Sequence, residues 1–244
     1  IETMEYEEVE YWPEIQEIFN WARTHVTSTL YICWGAQAGL YHFYGVPKYQ
    51  LDKKKFGIFP QKPLDPSLPI FRGFDDIFNM PHSRHTEVRR EDIEKVPGLD
   101  IIAESAESGV SIVMARGGRE FFVTGHLEYA PNTLDKEYKR DMGKRDDVEL
   151  PENYYFHDDP NEAPLADAVK PALFVRRIPP HGKGLRVAEI IPPPDLPVSR
   201  DAERADHMCP PLVVVVGRVV LPLGEHLPGK AVPVAVEQGF LLRF

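Results

Sequence analysis

The chain has 244 residues, of which 43% are hydrophobic, and a formal net charge of -10. That length suffices for one large or two small domains, no apolar run could span a bilayer, and the acidic balance excludes a nucleic-acid surface, which needs clustered Lys and Arg. Cys33 and Cys209 are the only cysteines, too few for a disulfide framework or a cysteine-based zinc site, so a soluble protein of a reducing compartment is expected.

In chain order, the acidic stretch Ile1 to Glu10 reads as a loop, without the features of a secretory or transit segment. Because the chain opens at Ile1 and not at a methionine, an upstream segment of the natural protein is expected. Pro13 opens a helix to about Arg23: proline suits a first turn, Glu14 and Glu17 complement its positive end, and Ile15, Ile18, Phe19 and Ala22 share one face. The stretch VTSTLYICWGAQAGLYHFY, Val26 to Tyr44, then passes from β-branched and aromatic residues through a tight junction at Cys33 into helical spacing, ending at Gly45-Val46-Pro47. At a strand-to-helix corner the free N–H groups of the helix favour a thiolate and can stabilise an oxyanion. A cysteine after an apolar strand is equally a small core residue, and on this stretch alone the structural role leads.

Beyond Pro47 the Lys-, Asp- and Pro-containing segment to about Pro69 reads as a surface excursion with a short strand at Phe56 to Phe59, and the basic run Lys53-Lys54-Lys55, like Arg89-Arg90, as a solvated face or single-anion contact. Phe71 to His85, FRGFDDIFNMPHSRH, reads as a polar, turn-rich loop. His82 and His85 lack a carboxylate at ligand spacing, so a structural or solvent-exposed pair is expected and no metal site. Strands are expected at Ile101 to Glu104, Val110 to Ala115 and Glu120 to Thr124, the last two joined by the hairpin signal Gly117-Gly118. If the last strand continues extended, His126 and Glu128 share a face, where a carboxylate can orient an imidazole towards a nucleophile; a polar strand face is the equally common alternative. Asn132 is placed to cap a helix from Thr133 to Met142, with Glu137 and Arg140 on one face.

Taken together, VTSTLYICWGAQAGLYHFYGVPK, RGFDDIFNMPHSRHTEV, EFFVTGHLEY and TLDKEYKRDM, in this order, resemble the homoserine O-acyltransferase family of the methionine pathway, over Ile1 to about Pro164. The resemblance implies an α/β fold like class I glutamine amidotransferases, a flavodoxin-like three-layer sandwich with a nucleophile elbow, incomplete at its N-terminal side. It implies Cys33 as nucleophile, His126 as general base, Glu128 as its orienter and the Trp34 N–H in the oxyanion hole. It further implies substrate contacts at Lys54, Ser83 and Arg140, the last for the amino-acid carboxylate, and an acyl-donor determinant at Glu2, where glutamate favours acetyl-CoA over succinyl-CoA. Acyl-CoA and L-homoserine are then the small-molecule substrates, with no cofactor, no metal, no nucleic acid and no membrane partner, in a cytoplasmic homodimer. The alternatives are succinyl-CoA as donor, a catalytically silent relic, and a hydrolase in which water replaces homoserine.

The chain departs from that pattern near Leu165. From Pro164 onward it holds 13 of the 24 prolines but only Phe174, Phe240 and Phe244 among the aromatic residues. The expectation is a catalytic region 1-164 followed by a proline-rich tail 165-244 of frameshifted or mis-joined origin, in which Leu212 to Val216 and Val219 to Leu221 could form short strands.

Overall fold

Trp12, Ile15, Phe19 and Ala22 recur at helical spacing, and in a computed structural model of the chain they form the buried face of α1, Trp12–His25. The structure describes residues 1–26, 28–144, 148–162, 164–165, 212–216 and 240–243, the last two segments as backbone strands. Pro13 lies in the first turn of α1, Glu14 beside its positive end, and Arg23 and His25 in its last turn. The acidic start before it is loop and turn, with one 3-10 turn at Tyr6–Glu8.

Central strand β1, Ser28–Ile32, turns directly into α2, Trp34–Tyr44, whose residues Trp34 to Leu40 are all buried. Gly45 ends α2 at φ 68°, a left-handed conformation that costs glycine nothing. The remaining elements are β2 (Tyr49–Pro63), β3 (Phe78–Glu87), the single turn α3 (Arg90–Ile93), β4 (Leu99–Ser105), β5 (Gly109–Ala115), β6 (Glu120–Val123), α4 (Thr133–Met142), β7 (Leu212–Val216) and β8 (Phe240–Arg243). They form a mixed α/β architecture on one sheet, ordered β3-β2-β4-β5-β6-β1-β7-β8. Among the described strands β1 and β6 pair in parallel and the other neighbours are antiparallel. One apolar cluster seals α1 and α2 onto the sheet through Phe19, Tyr31, Leu40, Val113 and Phe122, and a second, with Met80, Ile112, Val123 and Leu127, lies around β3, β5 and β6.

Three expectations are corrected. The surface excursion after Pro47 is instead the 15-residue strand β2, because β3 pairs with it from Tyr49 to Gln61; on its other side β4 joins at Lys62 and Pro63 and Glu152 bridges at Gly57, which leaves room for Pro60 between them. The polar loop ending at His85 is largely β3, and His82 within it is fully buried. Asn132 stands at the start of α4 but its side chain caps nothing; Tyr155 and Tyr154 brace that turn, through the Asp135 carboxylate and the Asp135 N–H.

On the far side of β1, Leu212–Val216 pairs antiparallel with Ser28 to Ile32, so that side of β1 carries a strand of the tail. Val219 to Leu221, Cys209 and most of the tail lie outside the described residues. Among the described residues no helix is long and apolar enough to cross a membrane.

Candidate active site

The site is built where β1 and β6, the parallel pair, end side by side. The Cys33 N–H donates to the Val123 carbonyl (2.8 Å), carrying the ladder one residue into the corner, and the chain then reverses into α2. Cys33 sits at φ 52° and ψ -118°, a conformation that L-residues avoid and that costs on the order of 1–3 kcal/mol. The corner has the tight, strained strand-to-helix geometry that an elbow requires. Its carbonyl accepts from the N–H groups of Ala36 and Gln37, while the Trp34 N–H, at the start of the helix, has no partner among the described residues.

β6 ends at Val123, and Thr124 to Glu128 bend away, so His126 and Glu128 meet through a turn and not across the pleat of a strand. Gly125 permits the bend: a Cβ there would lie 2.4 Å from Met80 Sδ and 2.8 Å from the Pro81 carbonyl oxygen. The His126 N–H is fixed by the same Pro81 carbonyl (2.8 Å), and its ring stacks on Tyr129 with centroids 4.1 Å apart. Nδ1 lies 2.7 Å from Glu128 Oε1, so a ring proton there is donated to the carboxylate and Nε2 is the nitrogen left to exchange a proton. His126 is 2% exposed, and its Nε2 is buried without a hydrogen-bond partner. Burial alone would push the imidazole pKa down; the charges of Cys33 and Glu128 outweigh it and hold it well above the ordinary histidine value. The carboxyl at position 128 is thus bonded to the ring at 126, and the sulfur at 33 is among the groups that hold that ring's proton.

A second polar group lies on α4 and the edge strands. Glu137 accepts from Lys54 Nζ (2.9 Å) and, closely, from the Ser83 hydroxyl. Arg140, one turn further on, donates through Nε to Asp141 (2.7 Å), has Nη2 4.0 Å from Glu137, and has Tyr129, the ring stacked on His126, as an electrostatic neighbour. The structure therefore brings Lys54, Ser83 and Arg140 together around Glu137. Glu2 lies apart from them, 7% exposed, with its carboxylate accepting from the N–H groups of His85 and Thr86 and facing His85 Nδ1 at 3.1 Å. Burial opposes its ionisation, but those bonds win and its pKa falls below the usual glutamate value.

A family model described as homoserine O-succinyltransferase matches residues 1–175. The chain belongs to that family. Among curated relatives, the homoserine O-acetyltransferases of Bacteroides fragilis and Bacteroides thetaiotaomicron are each 68% identical over 165 residues, 68% of this chain and 54% of theirs. That of Desulfitobacterium hafniense is 58% identical over the same length. The chain spans about half the length of the curated relatives it matches. Solved structures similar to it include a glutamine amidotransferase from Thermotoga maritima, with TM-score 0.46 and 18% identity over 58% of this chain and 60% of that one. Another is a glutamine amido transferase from Methylobacillus Flagellatus, with TM-score 0.48 and 11% identity over 69% and 64%.

In this member of the homoserine O-succinyltransferase family, sequence reasoning placed the motif residues but missed the framework behind them. Glu137 stood out only as a helix-face partner of Arg140, and nothing in the sequence announces its bonds to Lys54 and Ser83, 83 and 54 positions away. Arg84, Thr86 and Gln37 carried no signal beyond their presence in the motifs. Among the described residues there is no cluster of His, Cys, Asp and Glu able to hold a metal ion.

Proposed function

We propose that the chain carries the catalytic machinery of a homoserine O-acyltransferase of methionine biosynthesis, with acetyl-CoA as the preferred donor. One observation carries this reading: a buried imidazole whose Nδ1 is tied to a carboxylate and whose unpartnered Nε2 shares its charge balance with a cysteine on a strained strand-to-helix corner. The Cys33 thiolate attacks the thioester carbonyl, the Trp34 N–H supports the oxyanion, and the C–S bond to coenzyme A breaks as His126 Nε2–H protonates the departing sulfur. The acyl group is then a thioester on Cys33. Homoserine enters, Nε2 takes its hydroxyl proton, the oxygen attacks the acyl carbonyl, and the Cys33 thiolate leaves. No cofactor enters this sequence of steps.

The polar group on α4 supports the choice of acceptor. The Arg140 fork suits the carboxylate of an amino acid, and the Glu137 carboxylate, held by Lys54 and Ser83, suits its ammonium. Water as acceptor would need neither. The fixed, ionised Glu2 carboxylate would repel the second carboxylate of a succinyl group, and the relatives named homoserine O-acetyltransferase support the same donor.

The test is to incubate the chain with acetyl-CoA and follow its intact mass. An increment of one acetyl group that Cys33→Ala abolishes, and that L-homoserine removes as an O-acetyl ester, is the expected result. A folded sample that takes no label would refute the reading in favour of a silent relic. Loss of the label to water at an equal rate without homoserine would identify a hydrolase, and faster labelling by succinyl-CoA would overturn the donor.

A further inference from the structure

One charged side chain in the core has no role in the steps above. Arg84, on β3, is 1% exposed, yet its guanidinium makes no ion pair among the described residues. Its donors go to neutral acceptors only: Nη1 to the Thr86 carbonyl (2.6 Å), Nη2 to the Ser108 carbonyl, and Nε to His82 Nδ1 (3.3 Å). A buried cation without a counter-ion is expensive by several kcal/mol, and in a folded protein it calls for a nearby negative charge that it serves.

The connections of β3 say where that charge is. The Pro81 carbonyl holds the backbone of His126, and the Thr86 carbonyl that Arg84 grips also accepts from Gln37 Nε2 (3.1 Å). Gln37 lies one turn into α2, its N–H bonded to the Cys33 carbonyl, and its Oε1 accepts from the Thr86 hydroxyl (2.7 Å). One strand thus braces both the nucleophile's helix and the base, with Arg84 between the two attachments. We propose that Arg84 is a positioning residue for the Cys33–His126 pair, its buried guanidinium supplying the fixed positive charge that favours a negative sulfur at Cys33. The inference rests on Cys33 being the nucleophile proposed above.

The charged groups around it are consistent with this. Burial works against the Arg84 cation, and the charges that offset it are Cys33 first, then Glu87 and Glu2. Cys33 also faces His126, which Glu128 holds from the other side. His82, between Arg84 and His126, is kept neutral by burial, with Arg84, His126 and Lys55 adding to the effect, so it does not compete for the proton. Its Nδ1 accepts from Arg84, and its Nε2 lies 3.4 Å from both Ser108 Oγ and Gln61 Nε2.

The measurement is the rate of Cys33 alkylation by iodoacetamide across pH 5 to 10, in the wild-type chain and in Arg84→Met, with Cys33→Ala as blank. No substrate is involved, so this result and that of the acyl-transfer test are separable. The midpoint of the profile is expected to rise by about one unit in Arg84→Met, roughly a tenfold loss of reactive sulfur near neutral pH. A purely structural Arg84 would change the plateau rate or the stability and leave the midpoint in place, and that outcome overturns the proposal. Should Arg84→Met not fold, Arg84→Gln decides: it can still donate to one of the Thr86 and Ser108 carbonyls but carries no charge, so the same rise is expected, and a midpoint coinciding with wild type overturns the proposal equally.

Discussion

Replacing Glu128 by glutamine tests the arrangement at its most exposed member. The Nδ1 to Oε1 distance is 2.7 Å, the imidazole is buried, and the Glu128 side chain is 26% exposed, so the bond lies at the boundary of solvent and is only partly screened. A hydrogen bond to a charged group contributes about 1.5–3 kcal/mol net, or roughly 10- to 150-fold in rate when the imidazolium must form in the transition state. The amide adds a second effect. It can turn its NH₂ towards Nδ1, which then accepts and leaves the proton on Nε2, the wrong tautomer for a base. Glu128→Gln is therefore expected near the upper end of that range, and Glu128→Asp, which keeps the charge on a shorter stem, near the lower end. Rates of acetyl transfer to homoserine, with folding verified by circular dichroism, provide the comparison. Should Glu128→Gln retain activity within twofold of wild type, Glu128 does not orient the base and the reasoning from this contact fails.

Other expectations concern stability and pH. Glu120 is 1% exposed and binds Arg23 through two oxygens (2.9 and 3.1 Å), Arg116 (3.2 Å) and the Tyr44 hydroxyl (2.7 Å), tying α1 and α2 to β6; Glu120→Ala strands these donors. Because the Arg23 and Arg116 side chains are 29% and 37% exposed and regain water, a loss of about 1.5–3 kcal/mol by urea unfolding is expected, and less than about 0.5 kcal/mol would show that water fully replaces the carboxylate. Gly125→Ala places a methyl against Met80 Sδ and the Pro81 carbonyl, the group that also fixes the His126 N–H, so it should lower stability by about 1–3 kcal/mol and slow acyl transfer. Wild-type-like values of both would mean that the bend is not tightly packed. Glu2, whose pKa is lowered on folding, contributes stability above about pH 4.5 that is lost as pH falls through its lower folded value; Glu2→Gln should flatten this acid limb. His126, whose pKa is raised, has the opposite sign: its contribution is full below about pH 6.5 and is lost as pH rises through the folded value. Thermal unfolding across pH 3 to 10 for wild type and Glu2→Gln checks the first claim, with parallel curves as the refuting result.

Local signals were strong enough for α1, for the β1-to-α2 corner and for the β5–β6 hairpin, because apolar spacing, Pro13, Gly45 and Gly117-Gly118 act over a few residues and need no distant partner. The same is true of His126 and Glu128, whose contact spans two positions, although the chain achieves it by a turn. What the sequence by itself determined is thus the inventory: one sulfur at a corner, one ring beside one carboxyl, and an acidic and a basic residue on one face of α4. Only the tertiary structure decided that β2 and β3 are long paired strands, since the lysines, prolines and histidines in them argue locally for loops and are overruled by pairing across some thirty residues. It decided as well that Lys54 and Ser83 converge on Glu137 and that Arg84 is buried on the Thr86 and Ser108 carbonyls, because these bonds join segments far apart in the chain or depend on burial, which no local pattern encodes.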